Sequence, residues 1–278
     1  MKSVSAEGKS LREKSIEDFG DQWTRYQDNE GYYGSSALFA DMLSGLMTAP
    51  EFVGKEVLDV GSGTGRIVHM ILTAGAQTVH AVEPSKAMDV LRQNLAPFGD
   101  RVVCHQVAGD QIPNVQVDLA TSIGVLHHIP EPEPVVKKVF AVLKPGGRFL
   151  FWVYGYEGNE AYLRLIMPLR KLTARLPDFL LRGFCHLLNV ALAVYVLLCR
   201  VLPLPLRGYM NEVIGHFSWK KRFLVIFDQL NPAYARYYTG DEAEKLMADG
   251  GFTQIQRSHR HGYSWTVIGV KPENKSKP

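Results

Sequence analysis

A glycine-rich turn that follows an apolar strand constrains the fold of this chain more than any other feature. It reads Gly61-Ser62-Gly63-Thr64-Gly65 and comes directly after Val57-Leu58-Asp59-Val60. Glycine lets the backbone turn sharply and approach a ligand closely, so the pattern predicts a buried strand, a turn and then a helix. The spacing is G-x-G-x-G, whereas a dinucleotide pyrophosphate site needs G-x-G-x-x-G. Glu83 ends a second apolar run, where a carboxylate can accept hydrogen bonds from both hydroxyls of a ribose. These features predict a nucleoside ligand that lacks a pyrophosphate.

Strand and helix patterns alternate after this turn. The strands are predicted near 56–60, 78–82, 101–107, 117–122 and 147–153, and the helices near 64–74, 85–96 and 132–143. Such alternation with short loops predicts an α/β fold with a Rossmann-like, doubly wound, mostly parallel sheet. A ligand then binds beyond the carboxyl ends of the strands, where the glycine turn and Glu83 meet.

Five segments in this order resemble the class I S-adenosylmethionine-dependent methyltransferases. They are Val57 to Gly65, Ala81-Val82-Glu83-Pro84-Ser85, Gly109-Asp110, Asp118 to Pro130, and Leu143-Lys144-Pro145-Gly146-Gly147. The resemblance covers residues 55–154 and implies an S-adenosylmethionine cofactor. It also implies that the predicted helix at 241–250 and strands at 253–258 and 264–270 close the fold as an antiparallel hairpin. Residues 228–234 and 261–265 are similar to bacterial small-molecule methyltransferases with a helical cap.

The resemblance also implies roles for individual residues in holding the cofactor. Gly61, Gly63 and Gly65 would contact its methionine part, Glu83 its ribose and Asp110 its adenine amino group. The neighbours Ser62, Pro84 and Gln111 are expected to complete these contacts, and Ser122 and Ile123 to line the sulfonium side. Residues 19–33 are rich in aromatic side chains, which predicts either a hydrophobic flap on the core or a cover over the cofactor. In the second case Tyr26 is a cofactor contact.

Methyl transfer to a hydroxyl needs a base that removes the proton. His127 and His128 follow the fourth predicted strand, beside the expected methyl donor, and His216 lies in the predicted insertion. We expect the base among these three. His259 and His261 are more typical of an exposed or loop-packed pair, and with no further ligand nearby in the sequence they predict no metal site.

Residues 156–230 interrupt the α/β pattern and predict a helical cap inserted after strand five. Within them, residues 183–199 carry no formal charge. This run can be a buried lid or dimer helix, an interfacial helix or a membrane span, and 17 residues are the lower limit for a span. Residues 231–234 (Asn-Pro-Ala-Tyr) resemble a signature of enzymes that methylate nucleic-acid amines, but they do not follow strand four. We therefore predict a turn there.

The predicted organisation has five parts. They are a flexible N-terminus at 1–18, a cofactor-binding domain at 19–155, the cap at 156–230, the closing part of the α/β domain at 231–270 and a disordered tail at 271–278. The formal net charge of +3 predicts no nucleic-acid partner, but residues 160–222 hold ten Lys or Arg and three Asp or Glu. The three cysteines show no metal spacing and no disulfide framework.

These features predict methyl transfer to a small molecule, with oxygen as the expected acceptor atom. A glycan or lipid-linked intermediate, a quinone-like ring and an acidic metabolite all fit an apolar, cationic cap. An RNA or protein methyltransferase and a non-catalytic cofactor-binding module at a membrane surface are the alternatives, while the glycine spacing disfavours a dehydrogenase. Met1 to Asp18 lack the apolar core of a signal peptide. We therefore expect a cytoplasmic monomer or homodimer, with peripheral membrane contact through 156–230 as a further option.

Overall fold

The computed structural model describes residues 2–173, 176–230 and 234–273. Over these residues it contains a seven-stranded sheet with the strand order β3-β2-β1-β4-β5-β7-β6. The strands are β1 (Glu56–Val60), β2 (Thr78–Val82), β3 (Val102–His105), β4 (Val117–Ile123), β5 (Leu143–Tyr154), β6 (Thr253–Arg260) and β7 (Ser264–Val270). Strands β1 to β5 pair in parallel, and β7 pairs antiparallel with both β5 and β6. The predicted Rossmann-like sheet with its closing hairpin is confirmed.

Helices cover both faces of the sheet, and some of them form a further helical region beside it. They are α1 (Lys2–Arg25), α2 (Ser36–Leu43), α3 (Arg66–Thr73), α4 (Ala87–Leu95), α5 (Glu133–Val142), α6 (Glu160–Thr173), α7 (Asp178–Val201), α8 (Arg207–Glu212), α9 (Trp219–Leu230) and α10 (Gly240–Asp249). The predicted helices and strands of the α/β domain lie where the sequence placed them, within a few residues at their ends. Apolar periodicity sets them, because each must bury a face against the sheet.

Three apolar clusters hold these layers together. One lies between the sheet and α2, α3 and α4, and it continues into α7 and α8. A second lies between the opposite face of the sheet and α5 and α10. The third joins α6, α7 and α9 to one another. We call α6 to α9 the cap. It has its own core, and it is also packed onto the sheet domain through the first cluster.

The N-terminal segment adopts a helix where the sequence analysis expected flexible chain. Helix α1 packs against α4, and Asp21 forms a salt bridge with Lys86. Ser15 and Gln22 of α1 are also buried, and the Gln22 side chain donates a hydrogen bond to Asp228 of α9. The division of the chain into five parts, including flexibility at 1–18, stays a prediction. The Asn-Pro-Ala part of the 231–234 motif and residues 274–278 of the predicted tail lie outside the described residues.

Candidate active site

The glycine turn after β1 has a backbone that only glycine adopts easily. Gly61, Gly63 and Gly65 have φ angles of +78°, +52° and +85°. These values lie in the left-handed region, where a Cβ is strained. Space is also limiting, because a Cβ on Gly61 would lie 2.4 Å from a methyl carbon of Val125. The turn therefore leaves open backbone at the carboxyl edge of the sheet, as the sequence motif predicted.

Glu83 follows β2 and is fixed by this turn. Its Oε2 accepts a hydrogen bond of 2.9 Å from the Gly63 N–H, and its Oε1 accepts one of 3.0 Å from the Ser85 N–H. A carboxylate oxygen has two lone pairs, so each oxygen can accept one more hydrogen bond. Glu83 is buried and lines a cavity, which lets it bind two adjacent hydroxyls of one ligand.

The cavity has a volume of about 640 Å³ and runs from the glycine turn to the cap. Its first wall is the cofactor edge, by which we mean the loops after β1, β2 and β4. Ser62, Gly61, Gly63, Glu83, Pro84 and Ile123 all belong to this wall. The opposite wall comes from the cap and is mainly apolar, with Ile166, Leu169, Leu188, Leu192, Met210, Val213, Phe217 and Val225. One space thus joins the predicted cofactor residues to the predicted acceptor region.

Helix α1 forms a third wall, and part of it comes from the aromatic residues at 19–33 for which a cover over the cofactor was one of two predictions. Arg12, Phe19 and Trp23 line the cavity, and the Trp23 indole lies next to Gly63. A Cβ built on Gly63 would be 3.4 Å from the indole nitrogen. The aromatic residues between 19 and 33 therefore cover the glycine turn in part. Tyr26 does not line the cavity, because its ring packs against Phe223 and Phe227 in the cap core.

Asp110 is bound by α1. Both of its carboxylate oxygens accept hydrogen bonds from the Arg12 guanidinium, and this contact lowers the pKa of the Asp110 carboxyl. Neither Asp110 nor Gln111 lines the cavity, although Arg12 and the neighbouring Gly109 do. An adenine amino group would have to compete with Arg12 for this carboxylate, so the predicted adenine contact stays a prediction.

Ser122 and Ile123 end β4 but face different surroundings. Ile123 lines the cavity. The Ser122 hydroxyl is fully buried and donates a hydrogen bond of 3.2 Å to the Val60 carbonyl oxygen in the neighbouring strand. Ser122 thus joins two strands rather than forming part of the cavity wall.

His128 is the candidate base that the structure brings to the cavity. It lies in a short 3-10 helix after β4, and its Nδ1 is 2.9 Å from the Tyr234 carbonyl oxygen. A carbonyl only accepts, so Nδ1 carries the hydrogen and Nε2 keeps the lone pair in the neutral ring. Burial lowers the pKa of His128, and the nearby Asp228 charge opposes this effect. The ring is therefore neutral near pH 7 and can accept a proton.

His127 and His216 occupy different environments. The His127 ring is fully buried 3.9 Å from the Tyr154 ring centroid, does not line the cavity, and has no hydrogen-bond partner among the described residues. Burial lowers the pKa of His127 well below its usual value. His216 lies outside the cavity, where its ring packs on Tyr32 and its Nδ1 lies 3.1 Å from the Glu212 carbonyl oxygen. We retain His128 alone as the base candidate.

Asp228 and Tyr154 are polar cavity residues that were not predicted as site residues. Asp228 of α9 accepts hydrogen bonds of 3.0 Å from the Gln22 side chain and from the Tyr154 hydroxyl. Burial raises the pKa of Tyr154 well above its usual value, and the Asp228 charge adds to this, so Tyr154 stays a donor. Both residues line the cavity near His128. No local motif marks them, because the contact joins residues 74 positions apart.

Asp59, the acid inside the first motif, also has an unusual environment. Its Oδ1 accepts a hydrogen bond of 2.7 Å from the Thr121 hydroxyl, while Oδ2 is buried with no partner among the described residues. Burial raises the pKa of Asp59 to about 6. Asp59 lies in β1 two residues before Gly61, and its backbone carbonyl accepts a hydrogen bond of 3.0 Å from the Ser62 hydroxyl. Metal binding is a separate question. The described ranges contain no group of three or more His, Cys, Asp or Glu that could hold a metal ion.

The chain is similar to known methyltransferases in sequence and in fold. Residues 58–149 match the family described as a methyltransferase domain. A ubiquinone biosynthesis O-methyltransferase from Bordetella bronchiseptica is 28% identical over 176 residues, which are 58% of this chain and 73% of that protein. One from Vibrio vulnificus is 28% identical over 170 residues, with 59% and 71% covered. The structure of the S-adenosylmethionine-dependent methyltransferase SibL shares the fold, with a TM-score of 0.51 at 15% identity over 85% of this chain and 56% of that one.

The matched domain at residues 58–149 is a methyltransferase domain, and the fold is that of the S-adenosylmethionine-dependent methyltransferases. S-adenosylmethionine is its cofactor, and the residues present fit that group. The glycine turn offers backbone without side chains, and each oxygen of the Glu83 carboxylate can accept one more hydrogen bond. The family match ends at residue 149, so it covers the cofactor edge and none of the cap.

Proposed function

We propose that this enzyme transfers a methyl group to a hydroxyl oxygen of a small, mainly apolar acceptor, such as a phenolic or quinone-like ring. The continuous cavity carries this proposal, since it joins Glu83 and the glycine turn to the apolar wall of the cap. The curated relatives are named as O-methyltransferases of ubiquinone biosynthesis, which agrees with an oxygen atom on a ring. We also propose that the domain at 19–155 binds the cofactor and that the cap at 156–230 binds the acceptor.

The chemistry of the cap wall favours an apolar acceptor over a glycan or an acidic metabolite. Most cap side chains in the cavity are Leu, Ile, Val, Met or Phe. The cationic Arg260 at the edge is already bound by the Asp41 carboxylate, and the Arg66 guanidinium donates to the Tyr33 carbonyl oxygen. A sugar or a carboxylate would leave its polar groups without partners on such a wall, at about 1–3 kcal/mol for each unsatisfied group.

The proposed reaction needs positioning, exclusion of water and one proton transfer. S-adenosylmethionine supplies an already activated methyl group. Helix α1 and the cap both line the cavity and meet where the Gln22 side chain donates to Asp228, and aromatic rings of Trp152, Tyr154 and Tyr237 also line it. His128 takes the hydroxyl proton on Nε2, while the Tyr234 carbonyl holds Nδ1–H. The Asp228 charge stabilises the imidazolium that forms.

The acceptor can be tested with alkylated catechols of increasing chain length and S-adenosylmethionine labelled at its methyl group. We expect a labelled methyl ether by mass spectrometry, and a KM that falls as the chain grows because more apolar surface enters the cap. Absence of a labelled ether from every catechol, together with methylation of a matched aniline or of glycerol offered in parallel, would show that the acceptor class is wrong. Binding of S-adenosylhomocysteine, followed by thermal shift, shows independently that the cofactor site is intact.

The base can be tested with His128→Gln, which keeps a donor for the Tyr234 carbonyl but cannot take a proton. We expect kcat to fall by roughly 10²–10⁴-fold with an unchanged affinity for S-adenosylhomocysteine. His259→Gln is the matched control, since His259 stacks on Trp265 at the surface of the hairpin. Because burial lowers the pKa of His128, activity should be lost only as pH falls below the ordinary imidazole value of about 6.5. An unchanged kcat in His128→Gln excludes it as the base.

We place the enzyme in the cytoplasm as part of the same proposal. An apolar ring acceptor with an alkyl chain partitions into bilayers, so the enzyme would meet it at the cytoplasmic membrane surface. Fractionation of the source cells, with and without salt washing, tests this location. Recovery outside the cytoplasmic and membrane-peripheral fractions would contradict it.

A further inference from the structure

Helix α7 exposes an apolar stripe along its length. Large hydrophobic side chains recur every three or four residues on its outer face, and they include Phe179, Leu187, Val190, Val194, Leu197 and Val201. Phe179, Leu187 and Val201 are 71%, 65% and 75% exposed. Contiguous apolar patches of this kind are rare on soluble monomers and mark interaction sites. The stripe therefore indicates a partner, because no described part of the chain covers it.

The inner face of the same helix belongs to the protein core and to the cavity. Leu181, Cys185 and Val196 are buried, and Leu188 and Leu192 line the cavity. Asn189 also faces inward and donates a hydrogen bond of 3.0 Å to the Trp219 carbonyl oxygen at the start of α9. One helix thus separates the acceptor region of the cavity from the exposed stripe.

Residues 179–201 are long and apolar enough to cross a membrane. Only 22% of their most apolar window is buried in the protein, so most of it is open to another phase. Crossing is excluded by the sheet. Strands β5 and β7 flank the helix in sequence and pair from Arg148↔Val270 to Tyr154↔Ser264. Both strands must therefore lie on the same side of any membrane. The helix can lie in an interface but cannot span it.

The charges around the stripe are mainly positive. From residue 178 to residue 212 the sequence contains Arg182, Arg200 and Arg207, and its two acids, Asp178 and Glu212, stand at the ends of this range. Lys220 and Arg222 follow at the start of α9, beside Trp219, whose ring is partly exposed and lies 5.8 Å from the Arg222 guanidinium carbon. Tryptophan and arginine around an apolar helix face are the composition of interfacial helices. A symmetric contact with a second copy would instead bring cations together.

We propose that the exposed face of α7 docks onto a bilayer that contains anionic phospholipids. The apolar stripe enters the boundary between head groups and acyl chains, and the flanking arginines and lysine contact lipid phosphates. The inference rests on the proposed function in one respect, since a bilayer-docked α7 places the cap wall next to the phase in which an apolar acceptor dissolves. The docking itself needs no catalysis and can be measured without it.

Vesicle flotation of the full chain tests this directly. We expect it to float with vesicles of phosphatidylcholine and phosphatidylglycerol, to float much less with phosphatidylcholine alone, and to be released by high salt. Leu187→Glu combined with Val194→Glu should lower the floating fraction by roughly tenfold, because both carboxylates would enter the apolar boundary. Val53→Glu is the matched control, since Val53 is 61% exposed but precedes β1 at the opposite edge of the sheet.

Three results would overturn the docking. They are failure of the wild-type chain to float, flotation that resists high salt and needs detergent to reverse, and a wild-type dimer in sedimentation that the double variant converts to monomer without vesicle binding. The third result would identify a second copy as the occupant. In each case a retained thermal shift with S-adenosylhomocysteine and retained methylation of a catechol leave the proposed function standing. Loss of the thermal shift in the double variant would instead indicate misfolding, and Leu187→Gln then replaces it in the flotation assay.

Discussion

The cofactor edge and the cap enclose the same cavity but are built in opposite ways. At the cofactor edge, backbone N–H groups hold the Glu83 carboxylate, and glycines at positive φ form the wall. In the cap, side chains form the wall, and most of them are apolar. The first construction fixes the position of one ligand, and the second accepts any ligand of suitable size and polarity. A cofactor shared across a family suits the first, and an acceptor that differs between relatives suits the second.

The difference also appears on the outside of the two regions. The strands and loops that carry the cofactor edge are buried on both faces of the sheet, within two apolar clusters. The cap has a small core of its own and leaves one face of α7 uncovered. Changes at the cofactor edge should therefore affect binding and stability strongly, whereas changes on the outer cap should affect neither.

The largest effect is expected for Gly61→Ala. The new Cβ meets Val125 and is strained at a φ of +78°, which together should destabilise the fold by about 2–5 kcal/mol and displace the turn. Chemical unfolding and thermal shift with S-adenosylhomocysteine measure both consequences. Gly146→Ala is the matched control, because Gly146 has a φ of +76° but meets nothing closer than 3.8 Å. Equal losses in both variants would mean that strain, and not the cofactor edge, causes the effect.

Asp59→Asn should change the pH dependence of stability. The folded-state pKa of Asp59 is raised from 3.8 to about 6. The neutral carboxyl therefore contributes to the free energy of unfolding fully below pH 3.8, and this contribution is lost as pH rises through 6. Above about pH 7 the wild type holds a buried charge that the variant lacks, so the variant should be more stable by on the order of 3 kcal/mol. Below about pH 4 the difference should vanish. Denaturant unfolding across this range measures it, and a difference that is independent of pH would contradict the assignment.

Glu83→Gln should weaken S-adenosylhomocysteine binding by about 1.5–3 kcal/mol, which is roughly ten- to hundredfold. The charge is lost, and the new NH2 group must face one of the N–H donors of Gly63 and Ser85. Calorimetry measures the affinity. Glu56→Gln is the control, since Glu56 begins β1 away from the cavity and its side chain forms a surface ion pair with Lys144. Unchanged affinity in Glu83→Gln would place the ribose elsewhere.

The smallest effect on stability is expected on the outer face of α7. Leu187→Ala should change the free energy of unfolding by less than about 0.5 kcal/mol, because the side chain is 65% exposed. Leu181→Ala on the inner face is the matched contrast, and it should cost about 2–5 kcal/mol through the cavity it leaves. A large loss in Leu187→Ala would show that this face is already covered within the protein.

The amino-acid sequence alone determined the cofactor side of this protein. The glycine turn, Glu83 and the alternating strands are local patterns, because a turn, a strand and its end lie within a few residues of one another. These patterns were enough to predict the sheet, the carboxyl edge where the motifs meet and the methyltransferase class. They also made His127 and His128 candidates for the base, but only the packing of each ring distinguishes their surroundings, since adjacent residues carry the same local signal.

Tertiary structure alone decided the rest of the cavity. The contact between Tyr154 and Asp228 joins β5 to α9, and the contact between Arg12 and Asp110 joins α1 to the loop after β3. Neither leaves a pattern in the sequence, because each side chain acquires its role from a partner far away along the chain. The same holds for α7, whose apolar run is compatible with a buried, an interfacial or a spanning helix. Only the tertiary structure exposes the outer face of α7 and pairs β5 with β7, and this excludes a fully buried helix and a single crossing.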